Sequence, residues 1–270
     1  MSPIFILLLW MVCLAVNTVG FRQLVYFVNI GYAASIVLMS LVSAIFLFPN
    51  LGLFSALHLL VLMVWGFRLG IYVLRRELQI SYQLKLSELR QQYAKPQRLK
   101  ELGIWLAVST LYVLMFLPAL FNLREPSILP VAPTMILQAA GLLVLLGGLL
   151  LESIADRQKS KFKARFPRRF CDTGLYRWVR CPNYLGEILI WLGSWLMGLP
   201  FYTTPWHWIG GLLGLICIIL IMLGSTKRLE FSQDERYGKL PEYQAYSRSV
   251  PVLLPFLPIY SLKNIRFYLE

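Results

Sequence analysis

Seven apolar stretches, residues 3–19, 25–48, 52–74, 102–121, 132–151, 184–199 and 206–224, constrain this chain more than any other feature. A helix needs about 20 apolar residues to cross the hydrocarbon core of a bilayer. Barrel strands would instead alternate apolar and polar residues over about ten positions. With 58% hydrophobic and 14% charged residues, the composition excludes an ordinary soluble domain. The expected fold is an all-α polytopic membrane protein with seven transmembrane helices, residues 1–270 forming a single integral membrane domain. The sixth stretch is short and has charge at its entry, so it is expected to tilt or to start inside a polar cavity.

Charge placement predicts the orientation. Basic residues follow the odd-numbered stretches: Arg22; then Arg75 through Lys100; then Arg157 through Arg180; then Lys227 through Arg266. The loops after the second, fourth and sixth stretches hold only Arg124. The positive-inside rule then places the N-terminus outside and the C-terminus in the cytoplasm. No basic segment precedes the first stretch, so it reads as a mature span and not as a cleaved leader. The net charge of +13 lies beside the spans, which favours membrane lipid heads or a phosphorylated cofactor over nucleic acid. Cys13, Cys171, Cys181 and Cys217 form no CxxC pair, and no disulfide is expected. His58 and His207 stand far apart in the sequence, and no metal site is expected.

Nearly all the polar chemistry falls in two loops and the tail. Residues 75–101 read as charged and partly helical up to Pro96. Pro126 and Pro130 stop helices in a turn at 122–131. The loop 152–183 continues the fifth span and breaks at Pro167, and the tail carries one helix at about 226–247.

Three constellations stand out. Glu152, Asp156 and Lys159, spaced i, i+4, i+7, share one helical face. That face is either a solvated helix end with an internal ion pair or a surface for the hydroxyls and amide of a nucleotide. The basic run that follows, Lys161 to Arg169, suits lipid heads or phosphate, which arginine grips with two nitrogens. Arg177, Arg180, Asn183 and Glu187 form the strongest cluster. Pro182 suits the first turn of a helix, whose anion-attracting end then lies beside the two arginines. The plainer alternative makes Glu187 the structural partner of Arg180. Arg68, within Trp65-Gly66-Phe67-Arg68-Leu69-Gly70, either snorkels to the interface or reaches a phosphate.

Gly174 to Glu187, preceded by Glu152, Asp156 and a displaced Arg157-Gln158-Lys159, resembles the steroid 5-alpha-reductase C-terminal domain. It is still more similar to that domain's bacterial branch, DUF1295. Trp65 to Gly70 matches a further element of that branch, and the resemblance covers roughly residues 60–258. It implies a seven-helix reductase that holds NADPH among the cytoplasmic loops and last helices. Asp156, Arg180, Asn183 and Glu187 would belong to the cofactor site. Cys181 stands where the branch has His, and no Asp or Glu precedes Glu77, so a 3-oxo-4-ene steroid is not the expected substrate. Isoprenylcysteine carboxyl and phospholipid methyltransferases share part of the pattern, and Glu230, Glu242, Tyr243, Tyr246 and Pro251 resemble their tail. S-adenosylmethionine is therefore the alternative cofactor.

The expected activity is hydride transfer from NADPH to an activated C=C bond of a lipid-like substrate, in a bacterial inner or organellar membrane. Tyr184 and Glu187 are the candidate catalytic residues. Arg68, Glu152, Asp156, Lys159, Arg177, Arg180, Asn183, Glu187, Glu230 and Tyr243 are the candidate cofactor ligands.

Overall fold

A computed structural model of the chain describes residues 3–77 and 98–265. Of the basic segment 75–101 read above, Lys85, Arg90 and Lys95 lie outside them, as do Pro96 and Arg266. Among the described residues the regular structure is helical, without strands: α1 Pro3–Asn17, α2 Val25–Val28, α3 Ile30–Phe46, α4 Leu53–Glu77, α5 Arg98–Arg124, α6 Val131–Arg165, α7 Pro182–Gly198, α8 Pro205–Tyr237 and α9 Pro241–Ser249. Seven spans are long and apolar enough to cross a membrane: Pro3–Phe21, Val25–Phe46, Leu53–Glu77, Arg98–Arg124, Val131–Arg165, Pro182–Phe201 and Pro205–Tyr237. They coincide with the seven apolar stretches. The sixth is the most buried of them.

Prolines set several of the boundaries. Pro182, Pro205 and Pro241 each open a helix, where the missing N–H costs nothing. The turn before α6 is closed by Thr134, whose N–H donates to Pro130 O at 3.1 Å. Its hydroxyl lies 2.6 Å from that of Ser127. The tail differs from the single helix expected at about 226–247. The last span runs unbroken through its charged end to Tyr237. The chain then turns at Gly238, whose N–H donates to Asp234 O at 2.8 Å, and α9 starts afresh at Pro241.

The chain divides into two compact units, residues 1–142 with 194–214 and residues 143–193 with 215–270. This division is finer than the single membrane domain read from the sequence. In the first unit α3 and α4 meet at Gly66, where an added Cβ would fall 2.7 Å from Val37 Cγ2 and 3.0 Å from Ala33 O. Trp65 beside it is fully buried and packs edge-on against Tyr32 at 5.1 Å. The Trp-Gly part of the Trp65–Gly70 element is therefore used in helix packing. Polar bonds fix the helices further. The Asn17 amide nitrogen lies 3.2 Å from both Ser35 Oγ and Ser109 Oγ, joining α1, α3 and α5.

Candidate functional site

Two glycines build the centre of the second unit. An added Cβ at Gly148 of α6 would fall 2.6 Å from Gly186 O and 2.7 Å from Ile190 N. One at Gly186 of α7 would fall 2.7 Å from Glu152 N and 2.8 Å from Glu152 Cβ. The helices thus touch backbone to backbone, which only residues without a side chain permit. This contact sets Glu152 against the turn of α7 that carries Asn183 and Glu187. Glu152, Asp156 and Glu187 are all buried, Asn183 and Lys159 half-buried. The face spaced i, i+4, i+7 is therefore helical and turned inward. Asn183 Oδ1 is buried with no hydrogen-bond donor among the described residues.

The two sequence elements that carry the resemblance touch one another. Gly174 has φ +62°, in the left-handed region that favours glycine, and an added Cβ there would meet Gln158 Oε1 at 2.4 Å. Gln158 Oε1 accepts the N–H of Leu175 at 2.9 Å. Tyr176, buried next in line, accepts at its carbonyl the Tyr246 hydroxyl of α9 at 2.7 Å. Arg177 is exposed, as are Lys161, Arg165, Arg168 and Arg169 of the basic run. Lys163 is half-buried and donates to the Tyr237 hydroxyl at 2.8 Å.

Arg180 turns out to hold the tail. Its guanidinium donates to Glu230 Oε1 at 2.8 Å and to Tyr260 O, and the two paired side chains are 3% and 4% exposed. Arg180 thus pairs with Glu230, a carboxylate far along the chain, where local spacing had offered Glu187. Glu230 Oε2 accepts the N–H of Leu262 at 2.8 Å. The N–H groups of Arg180 and Cys181 donate to Pro251 O and Val252 O at 2.9 and 3.0 Å. The tail is so tied across the start of α7, where Tyr184 packs with Cys181, Val252, Leu253 and Leu262. Burial pushes the Cys181 thiol up to about 11, against the opposing pull of Lys159 and Arg180. The Tyr243 hydroxyl donates to Asp234 Oδ1 at 2.8 Å, and burial with that bond holds the phenol well above its usual range.

Some polar groups escaped sequence reading. Thr226 and Lys227 of α8 are buried in the second unit. They look there like the ordinary end of a span, because a helix end rich in Lys and Arg is commonplace. Arg68 lies half-buried on α4 in the first unit. His58, set aside above, anchors a buried chain in that unit. Its Nε2 lies 2.8 Å from Ser194 Oγ, and Asn122 Nδ2 donates to its Nδ1 at 3.2 Å. Gln138 in turn donates to Asn122 Oδ1 at 2.7 Å. These bonds satisfy one another across four helices, as a buried polar network must.

Residues 20–250 match a family described as a protein of unknown function, DUF1295. An uncharacterised protein of Schizosaccharomyces pombe is 38% identical over 91 residues, 33% of this chain and 25% of that protein. The chain thus spans about a quarter of the length of the curated relative it matches. No solved structure matches it.

Proposed function

The chain belongs to the DUF1295 family, and on that premise we propose that it is a membrane-embedded reductase carrying a hydride from NADPH to an activated C=C bond of a sterol- or isoprenoid-like lipid. The observation that carries this reading is the polar set at the α6–α7 crossing. Three buried carboxylates on two touching helices of a membrane protein are costly, and such groups usually serve a site.

A nicotinamide nucleotide suits that set chemically. Its carboxamide and ribose hydroxyls are donors, and Glu152, Asp156, Glu187 and Asn183 Oδ1, which meets no donor among the described residues, are acceptors. Lys159, Lys227 and the N-terminal turn of α7 favour its phosphates. When bound, NADPH supplies the hydride. The chain's own residues hold and orient: Glu152 and Asp156 accept from hydroxyls on successive turns, and Asn183 and Glu187 fix the amide end. Tyr184, half-buried beside Cys181, offers a phenol that donates where enolate charge develops. Arg180 and Glu230 act by tying the tail across this region. Arg177, which is exposed, Arg68, which is half-buried, and Tyr243, which is buried, are secondary candidates for the nucleotide.

Asn183→Ala and Glu187→Gln test the assignment. Each removes a hydrogen bond to a charged or amide group, about 1.5–3 kcal/mol where charge is involved, and should weaken NADPH binding roughly 10- to 150-fold in a folded protein. Unchanged affinity in both variants would take this cluster out of the site.

A further inference from the structure

At the far end of α8 the second unit holds a separate polar cavity of about 390 Å³. Its walls carry Arg180, Arg248 and Lys263, the acids Glu230 and Asp234, and the hydroxyls of Tyr243, Ser247 and Ser261. Two of the three cations are already matched, Arg180 by Glu230 and Lys263 by Asp234. Arg248, exposed on α9, leaves a surplus positive charge at the cavity. Arg180, only 4% exposed, keeps a buried Nε with no acceptor among the described residues. The volume lies within the range of small-molecule pockets, about 300–1,000 Å³.

An apolar loop adjoins this cavity through Tyr260. Residues 252–259 close into a loop, Val252 N–H donating to Ile259 O at 2.9 Å and Leu257 N–H to Leu254 O at 3.2 Å. Phe256 stands 95% exposed at its tip, with Leu254, Leu257, Ile259 and Tyr260 exposed around it. Tyr260, the residue after the loop, stands in the cavity wall. The base of the loop is bonded to Arg180 and Cys181, the two residues before the sixth span begins at Pro182. The apolar tip is thereby held beside the mouth of a membrane helix. Exposed aromatic and aliphatic side chains at that level, next to basic groups, are what an interfacial membrane segment presents.

We propose that this cavity binds the phosphodiester headgroup of an anionic phospholipid, while the loop around Phe256 lies in the bilayer boundary beside the lipid's acyl chains. The surplus cation selects a net negative headgroup, the hydroxyl-bearing wall receives a glycerol-like terminus, and the adjoining apolar loop distinguishes a lipid from a free phosphate. Its walls include Arg180, Glu230 and Tyr243 from the wider set of nucleotide candidates but none of Glu152, Asp156, Asn183 and Glu187 at the α6–α7 crossing, so the proposal does not depend on the nucleotide assignment there.

The test uses the full chain in neutral detergent, titrated with dihexanoylphosphatidylglycerol, dihexanoylphosphatidylcholine and inorganic phosphate, with binding read by calorimetry. Saturable binding of the phosphatidylglycerol is expected, about tenfold or more tighter than the zwitterionic lipid. Arg248→Gln should abolish that preference, and Phe256→Ser should weaken both lipids. Both residues are exposed, so the variants should fold, and their NADPH binding reports on the other site in the same samples. Equal affinity for the two lipids, equal binding of inorganic phosphate, or unchanged phosphatidylglycerol affinity in Arg248→Gln would each overturn the proposal.

Discussion

Arg180 and Glu230 form a buried ion pair whose side chains are 3% and 4% exposed, so each charge depends on the other. Removing one partner strands the second, which costs about 3–5 kcal/mol, while removing both is far milder. Arg180→Gln and Glu230→Gln should each lower stability by that order, and the double variant should recover much of it. Chemical denaturation of the three proteins measures this, and additive losses would mean that the pair does not act as a unit. Cys181 carries a second prediction at this scale. With its thiol pushed up to about 11 by burial, it should resist iodoacetamide at pH 8 in the native protein and react on unfolding. The unfolded thiol ionises near its ordinary value of 9.0 and the folded one only near 11. The native state should therefore lose stability as pH rises from 9 towards 11. Rapid native labelling at pH 8 would show that the tail opens.

At the scale of elements, the contact between α6 and α7 decides the geometry of the polar set. Gly147 and Gly148 are neighbours with opposite surroundings: nothing lies within 4 Å of an added Cβ at the first, whereas backbone of α7 lies 2.6 Å away at the second. Gly148→Ala should cost about 1–3 kcal/mol by overpacking and should weaken NADPH binding by shifting Glu152. Gly147→Ala should be neutral or slightly stabilising, as Ala is the better helix former. Thermal unfolding of both variants makes the comparison, and equal effects would contradict the close crossing. The seven spans were legible in the sequence because long apolar runs have one economical fold in a bilayer. That Glu152, Asp156 and Lys159 share one helical face was legible for the same local reason, helical spacing, but that the face turns inward was not. The break at Gly238 was not, since the charged stretch from Lys227 to Tyr237 continues a helix that the apolar pattern had already ended. Nor could spacing pair Arg180 with a carboxylate fifty residues away, or reveal that Gln158 receives Leu175, because both contacts exist only once the loop and tail have folded back.

At the scale of the whole molecule, polar chemistry is divided between the two units. The first holds a hydrogen-bonded chain through His58 that satisfies itself, and the second holds acids and a buried amide oxygen that suit a ligand. The central claim is that this ligand is NADPH. A ligand that binds only the folded state raises its melting temperature by mass action, about 2.7 kcal/mol of added stability at a hundredfold excess over Kd. The direct measurement is the melting temperature of the purified full chain in detergent with NADPH, with S-adenosylmethionine, and with neither. A saturable rise with NADPH alone is the result this account predicts. A rise with S-adenosylmethionine alone, or none with NADPH at millimolar concentration, would contradict it.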